Sequence, residues 1–255
     1  MGLFADTLHL FNKYMRITIR MPMWTLFGLI QPLIWLVIFS QLFQNMAKIQ
    51  GFPNNSYIDF FVPGVLVMTV VFGSSWSGVS LLREITFGTV EKMMVTPVSR
   101  SSIVLSRVLH SSSTVILQCI IILIIALIIG ASINYEILSI VLSMVIILLL
   151  SIGFSSLSNG FAILLQREEP LVVIGNFMTL PLMFFSSALI PQNFMPQWMR
   201  VLSIINPIEY AVKGIRTVLV GENDLNIFLN GLIFLFIFCI ASFGWATYMF
   251  VKNRE

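Results

Sequence analysis

The chain has 255 residues, of which 58% are hydrophobic and only 10% are charged, and its mean hydropathy is +0.96. A soluble domain usually carries about 25% charged residues, so this composition excludes a soluble globular protein and indicates a membrane protein. The net charge of +3 comes from basic residues scattered between apolar runs. That scatter favours a role in membrane orientation and speaks against nucleic-acid binding.

Residues 1–22 are predicted to form a helix that lies in the membrane surface. Apolar side chains recur at helical spacing from Phe4 to Ile19, while Lys13 and Arg16 fall on another arc of the wheel. An apolar arc beside a basic arc is typical of a helix between acyl chains and anionic headgroups. A soluble amphipathic helix packed on another domain is the alternative.

Six apolar runs follow, each long enough for a bilayer core, which needs about 20 apolar residues. They are residues 23–43, 60–82, 108–133, 137–165, 171–189 and 225–251. We therefore predict an all-α membrane protein, a single transmembrane domain over residues 1–255 with six transmembrane helices. Cys119 and Cys239 lie inside apolar runs and indicate neither a disulfide framework nor a metal site.

A polar, amphipathic segment, residues 83–107, separates the second and third spans. Phe87, Val90 and Met94 stand at i, i+3 and i+7, which predicts an apolar stripe on a helix of two to three turns. Pro97 would end that helix. A short amphipathic helix between two spans is typical of a docking element. A solvated connector is the alternative.

Residues 190–220 are too polar to span a membrane, yet they carry many apolar side chains. Asn206 before Pro207 predicts a helix start with a side-chain cap, and Glu209 and Lys213 form an i,i+4 pair. We predict two short helices that enter the membrane from outside and return. An ordinary amphipathic outer loop is the alternative.

The distribution of basic residues predicts the orientation. Six spans place both termini on one side, which then holds ten of the fourteen Lys and Arg residues: Lys13, Arg16, Arg20, Arg83, Lys92, Arg100, Arg107, Arg167, Lys252 and Arg254. The other side holds Lys48, Arg200, Lys213 and Arg216. By the positive-inside rule, both termini and residues 83–107 are cytoplasmic.

Two motifs carry a family resemblance. The first follows the pattern R-E-x-x-x-G-T-hydrophobic-E, then T-P and R, and is matched by Arg83, Glu84, Gly88, Thr89, Glu91, Thr96, Pro97 and Arg100. The second covers residues 184–216 and is matched by Pro191, Pro196, Trp198, Asn206, Pro207, Tyr210 and Arg216. Both resemble the permease subunits of type 2 ABC exporters, and in particular the short bacterial permeases of drug and antibiotic exporters of the daunorubicin-resistance type.

The resemblance implies one half of an ATP-driven exporter of a hydrophobic or amphipathic compound in the bacterial cytoplasmic membrane. Two permeases would pair, as a homodimer or a related heterodimer in membrane lipid, and ATP-binding subunits would dock on them. Residues 1–22 would be an elbow helix, residues 83–107 a coupling helix, and residues 190–220 a re-entrant pair closing the outer end.

Other cargoes and mechanisms remain open on these residues alone. A lipid-linked glycan, haem, sodium or a peptide is an alternative cargo. A proton-coupled secondary transporter is disfavoured, because such a carrier needs ionisable groups deep in its spans.

The sequence has no G-x-x-x-x-G-K-[ST] loop, the run whose backbone amides cradle nucleotide phosphates. We therefore expect no catalytic residue and no cofactor bound by this chain; ATP and Mg²⁺ would belong to a separate subunit. Our hypothesis is that Glu84 and Glu91 contact basic groups on that ATPase, while Phe87, Val90 and Met94 fill its groove.

Three sets of site residues follow. The coupling set is Arg83, Glu84, Phe87, Gly88, Thr89, Val90, Glu91, Met94, Pro97 and Arg100, with no metal ligand among them. The outer set is Pro191, Pro196, Trp198, Asn206, Pro207, Glu209, Tyr210, Lys213 and Arg216. A candidate substrate path uses Met, aromatic and amide side chains, which adapt to varied ligands, at Gln31, Trp35, Met68, Phe72, Trp76, Asn176, Met178, Phe184 and Phe185. For each of these, lipid contact or core packing is the alternative.

Overall fold

The computed structural model describes residues 3–49, 52, 56–95, 98–221 and 224–252, apart from the side chains of Trp24, Met94 and Arg100. These residues form ten α-helices and two short 3-10 helices, at Gln44–Lys48 and Gln192–Phe194. The α-helices are α1 (Leu3–Arg20), α2 (Pro22–Leu42), α3 (Tyr57–Thr86), α4 (Thr89–Met94), α5 (Arg100–Ile129), α6 (Ile137–Leu165), α7 (Glu168–Phe184), α8 (Gln197–Ser203), α9 (Pro207–Leu219) and α10 (Leu225–Lys252).

The chain bends sharply between α1 and α2. Met21 leaves the helical conformation, with φ −128° and ψ 62°, and Pro22 takes the first position of α2. A proline is tolerated there because the first helical N–H has no partner within the helix. Helix α1 packs along α5, where the Thr18 hydroxyl lies 2.7 Å from Nε2 of His110. The N-terminal helix is thus held against the bundle.

Helix α3 is the centre of the bundle. It packs against α2, α5, α6, α7 and α9. Its most apolar window is 72% buried, whereas those of α2 and α10 are 22% buried. Its 30 residues give a length of about 45 Å at 1.5 Å per residue, which exceeds a hydrocarbon core of about 30 Å. The two ends of α3 are therefore far apart, at opposite ends of the bundle.

Small residues bring α3 and α6 close together. The Gly78 N–H donates to Oγ of Ser158 at 3.0 Å, and a Cβ at Gly78 would fall 2.2 Å from the Ser158 carbonyl oxygen. One turn before Gly78 in α3, the Ser74 hydroxyl lies 2.9 Å from the Ser151 hydroxyl of α6. The small residues of α3 and α6 therefore let the two helix backbones pack in close contact. A Cβ at Gly160 would likewise lie 2.3 Å from the Trp245 ring.

Among the described residues, five helices are long and apolar enough to cross a membrane. They are Thr25–Leu42, Tyr57–Thr86, Ser101–Ile129, Ile137–Leu165 and Leu225–Lys252. Helix α7 has 17 residues, or about 25 Å, and begins with two glutamates, so it falls short of that length. The multi-pass, all-helical class is confirmed for this part of the chain, and the sixth span stays a prediction.

The structure corrects several predicted span boundaries. The second span was expected over residues 60–82, but α3 covers Tyr57–Thr86, and the third was expected to run to residue 133, but α5 ends at Ile129. The third span was expected from residue 108, but α5 begins at Arg100 because Oγ of Ser99 caps it, accepting from Ser102 N–H at 3.2 Å. The fifth was expected to run to residue 189, but α7 ends at Phe184. Its end is held by Nδ2 of Asn206, which donates to the carbonyls of Leu182 (2.6 Å) and Phe185 (3.1 Å).

The close α3–α6 crossing makes Gly78 sensitive to any side chain. We expect Gly78→Ala to lower the free energy of unfolding by about 1–3 kcal/mol, the usual effect of overpacking, because the obstacle is backbone. The matched control is Gly175→Ala in α7, where a Cβ meets nothing within 4 Å. Thermal unfolding of the detergent-solubilised protein distinguishes the two, and equal melting temperatures for both variants would contradict this crossing.

Candidate functional site

The turn between α3 and α4 is the most exposed apolar feature at the C-terminal end of α3. The Phe87 N–H closes α3 on the Arg83 carbonyl at 2.9 Å, and the Gly88 N–H donates to the Ile85 carbonyl at 3.0 Å. Gly88 then adopts φ +69°, the left-handed conformation that favours glycine, and Thr89 begins α4. The glycine redirects the chain so that a six-residue helix projects from the end of the long one.

The predicted apolar stripe is not uniformly exposed in the structure. Phe87 is 77% exposed and Val95 is 89% exposed, whereas Val90 is 0% exposed. Val90 packs into a core cluster with residues of α3 and α5, including Leu82 and Val104. The prediction of one stripe for a partner is therefore wrong for Val90. The helix is shorter than expected, and Phe87 lies before it on the turn.

Other members of the coupling set divide between described and undescribed positions. Glu91 is exposed on α4. Pro97 lies outside the described residues, as do the side chains of Met94 and Arg100. Their predicted roles stay predictions.

A buried charge cluster anchors the end of α3 beneath this turn. The Glu84 carboxylate forms an ion pair with the Arg107 guanidinium of α5 and accepts a hydrogen bond from the Tyr14 hydroxyl of α1 at 3.1 Å. Arg107 is almost fully buried, lies 4.9 Å from the Tyr14 ring centre, and donates to Ser80 Oγ at 3.3 Å. Burial raises the pKa of Tyr14 to about 12, so its hydroxyl keeps the proton that it donates. One cluster thus joins α1, α3 and α5.

A second ion pair, next to the first, is exposed. Arg83 donates through Nε and Nη2 to both carboxylate oxygens of Glu168, at 2.9 and 3.3 Å. This bidentate pair joins the end of α3 to the first turn of α7. The hypothesis that Glu84 contacts basic groups of a partner is corrected, because Glu84 pairs with Arg107 of this chain. Its neighbour Arg83 likewise pairs with a residue of this chain, Glu168.

The arrangement is suited to docking. An aromatic side chain is exposed on a turn that is fixed by glycine geometry, by ion pairs to α5 and α7 and by a hydrogen bond to α1. Within the part of the chain that the structure describes, no three His, Cys, Asp or Glu side chains are grouped to hold a metal ion. An exposed anchor on a rigid element is typical of a protein interface.

The outer set of residues lies at the other end of α3. Oδ1 of Asn206 accepts the Ile208 N–H at 3.0 Å, and Pro207 occupies the first turn of α9, as predicted. The predicted pair is confirmed, with Lys213 Nζ 3.0 Å from Oε1 of Glu209. The two helices expected in this segment are α8 and α9, and their re-entrant depth stays a prediction.

Aromatic and proline residues complete this end. Tyr210 stacks on Phe234 of α10 at 4.0 Å between ring centres and donates to the Ile204 carbonyl at 2.9 Å. Trp198 is exposed and meets Phe185 edge-on at 5.8 Å. Pro191 and Pro196 are the residues immediately before the 3-10 helix and α8. The set is therefore a packed cap on α7 and α10.

Arg216 was predicted to lie in this outer set, and the structure places it in the interior. It is 6% exposed and lies 4.0 Å above the Phe60 ring of α3. Its Nη2 donates to the Ser187 carbonyl at 2.8 Å and to the Phe60 carbonyl at 3.3 Å. It thus ties α9 to the first turn of α3.

The nine substrate-path candidates are not gathered around one cavity of those described. Trp35, Met68 and Phe72 pack in or against the core. The exposed ones are Gln31, Trp76, Asn176, Met178 and Phe184. Phe185 is half-buried against Trp198. A cavity of about 40 Å³ between α3, α6 and α7 includes Met178 alone of the nine. The set stays a prediction.

Arg107 and Tyr14 were not predicted as site residues. Arg107 was placed in a loop because the third span was started one residue later. Had the helix been started at the Ser99 cap, an arginine inside an apolar helix would have called for a buried partner.

The fold is that of a multi-pass, all-helical membrane protein with an exposed, anchored turn at one end of the bundle. The chain belongs to the ABC-2 type transporter family, whose model matches residues 6–220. It is therefore an ABC transporter membrane subunit.

The chain is also similar to several proteins that are named as permeases. The chain is 35% identical over 199 residues to the putative transport permease ycf38 of Cyanophora paradoxa, covering 77% of this chain and 68% of the relative. It is 22% identical over 215 residues to the probable doxorubicin resistance ABC transporter permease protein DrrC of Mycobacterium tuberculosis, covering 84% and 76%. It is 24% identical over 246 residues to the inner membrane transport permease YadH of Escherichia coli, covering 92% and 90%.

The two neighbouring ion pairs predict unequal contributions to stability. We expect Glu84→Gln to lower the free energy of unfolding by about 3 kcal/mol, because it leaves the Arg107 charge buried without its carboxylate. The matched control, Arg83→Gln, removes the exposed pair and should change the free energy of unfolding by about 0–1 kcal/mol. Chemical denaturation in mixed micelles measures both. A larger effect of Arg83→Gln would refute the anchoring role of Glu84.

Proposed function

We propose that this permease is the membrane half of an ATP-driven exporter and that the α3–α4 turn is the surface on which a separate ATP-binding subunit docks. Family membership supports association with such a subunit. The observation that carries the proposal is Phe87, which is 77% exposed on a turn anchored to the bundle.

The contacts of the turn can transmit a movement of the bound ATP-binding subunit to the helices of the membrane domain. Phe87 offers an apolar anchor of the kind that fills a partner's pocket. Three residues later, Val90 packs against α3 and α5 in the core. Glu84, one turn before, is paired with α5 and α1. Movement of a partner bound at Phe87 therefore acts on α1, α3 and α5 together.

The proposed topology has six spans, with both termini and α4 on the cytoplasmic side of a bacterial cytoplasmic membrane. Helix α7, continued by residues 185–189, is the fifth crossing, and residues 190–220 lie on the outer side. The support is the ten-to-four distribution of Lys and Arg between the two sides. A second permease, identical or related, completes the path.

The proposed cargo is a hydrophobic or amphipathic compound. The support is the name of two relatives, the M. tuberculosis DrrC protein and the daunorubicin resistance ABC transporter permease protein DrrB1 of Streptomyces coeruleorubidus. The latter is 22% identical over 192 residues, covering 75% of this chain and 67% of the relative. ATP and Mg²⁺ bind to the ATP-binding subunit, and this chain supplies no catalytic residue.

Removing the aromatic anchor tests the docking surface. We expect Phe87→Ala to reduce co-purification of the ATP-binding subunit and drug-stimulated ATP hydrolysis by about tenfold, the effect of losing about 1.4 kcal/mol at a hot spot. Because Phe87 is exposed, the melting temperature of the permease alone should not change. The measurement is made on the co-expressed complex in proteoliposomes.

The matched control is Phe177→Ala in α7, which removes an equally exposed phenylalanine, also at 77%, from another surface. It should leave assembly and ATP hydrolysis unchanged. Full retention of both by Phe87→Ala, or equal losses in the two variants, would refute the docking role.

A further inference from the structure

A cavity of about 240 Å³ lies at the N-terminal end of α3, opposite the α3–α4 turn. It is an open pocket lined by the segment that follows α7, by α9 and by the start of α10. Pockets for drug-sized ligands usually measure about 300–1,000 Å³. The cavity therefore has room for a headgroup and its hydration, and is too small for a whole amphipathic drug.

The polar lining of the cavity is basic. Lys213 and Arg216 both line it, together with Ser187, Gln192 and Asn193. No carboxylate occurs among the described residues that form the lining. The amide and hydroxyl groups add hydrogen-bond donors to the two cations. Such a donor set recognises an anionic oxygen group.

The two cations are held in place at different depths. Arg216 is deep, fixed by the Ser187 carbonyl at 2.8 Å, the Ser187 hydroxyl at 3.3 Å and the Phe60 ring. Lys213 is nearer the mouth, with 37% of its side chain exposed, and its Nζ is 3.0 Å from Glu209. Because the side chains are already ordered, a ligand would bind with little further loss of conformational entropy.

The carboxylate next to this cavity is turned into the protein. Glu209 is 2% exposed, and its Oε2 accepts the Ser187 N–H at 2.5 Å. It orders Lys213 without joining the lining. Glu209 thus positions the Lys213 ammonium group, and Lys213 also lines the cavity.

We propose that this cavity binds a phosphate-type anion, and that Lys213 and Arg216 supply the charge that selects it. Two fixed cations beside a partly desolvated cavity attract such an anion more strongly than the same charges in bulk water. The proposal concerns binding to this chain alone, so it stands or falls independently of the exporter function and of the docking surface.

A near-isosteric charge change tests the site without removing a structural cation. Gln192→Glu places a negative charge in the lining, where Gln192 is the first residue of a 3-10 helix. The matched control is Gln44→Glu, also the first residue of a 3-10 helix, which lies outside the lining of this cavity. Lys213→Gln serves as a second variant, because it removes the charge nearest the mouth.

Binding is measured by titration calorimetry on the full chain in a neutral detergent. The probes are dihexanoyl phosphatidylglycerol, dihexanoyl phosphatidylcholine as its zwitterionic counterpart, and sodium phosphate. We expect the wild type to prefer phosphatidylglycerol over phosphatidylcholine by about tenfold, and Gln192→Glu and Lys213→Gln to remove that preference, since one unit charge at this range is worth more than 1.4 kcal/mol. Gln44→Glu should leave the preference unchanged.

The three probes distinguish the sources of the anion. Tight binding of phosphatidylglycerol with weak binding of sodium phosphate supports the site with a lipid headgroup as its ligand. Comparable binding of sodium phosphate, again lost in Gln192→Glu, supports it with free phosphate as the ligand. Equal binding of the two lipids together with no binding of phosphate, or equal effects of Gln192→Glu and Gln44→Glu, would overturn the proposal.

Discussion

The buried ion pair between Glu84 and Arg107 is the interaction on which the proposed coupling surface depends. The Arg107 side chain is 4% exposed, and within the part of the chain that the structure describes its charge is stabilised by the Glu84 carboxylate, the Tyr14 ring and the Ser80 hydroxyl. These contacts fix the C-terminal end of α3 relative to α1 and α5. The direction in which Phe87 and α4 project follows from that fixed end.

The opposite end of α3 is held by charge as well. Arg216 of α9 binds the Phe60 carbonyl and stacks on its ring. A central helix of about 45 Å is therefore tied to its neighbours by an arginine at each end. Between the ends, small residues such as Gly78 keep α3 against α6. This construction favours movement of α3 as a rigid element, because bending it would break contacts along its whole length.

The local features of the fold could be predicted from the sequence. The fourth predicted span, residues 137–165, coincides with α6. The Asn206 cap and the Glu209–Lys213 pair were also found, because each depends on residues within one helical turn. The high hydrophobic and low charged content was sufficient to predict a membrane protein.

The partners of charged side chains could not be predicted, because they depend on long-range packing. Glu84 meets Arg107 and Tyr14 across 23 and 70 positions of sequence, and periodicity carries no information on such pairs. Val90 has helical spacing to Phe87, but the left-handed Gly88 between them turns the two side chains in different directions. The end of α7 was missed for the same reason, since Asn206 ends it from a distant part of the chain.

The most direct test of the account is a cross-link from position 87. A photoreactive phenylalanine analogue is incorporated at position 87 or, in a separate preparation, at position 177, and each permease is co-expressed with its ATP-binding subunit and irradiated in membranes. The account predicts an adduct with the summed mass of permease and ATP-binding subunit from position 87 and none from position 177. No adduct from position 87 in an assembled, ATP-hydrolysing complex would contradict it.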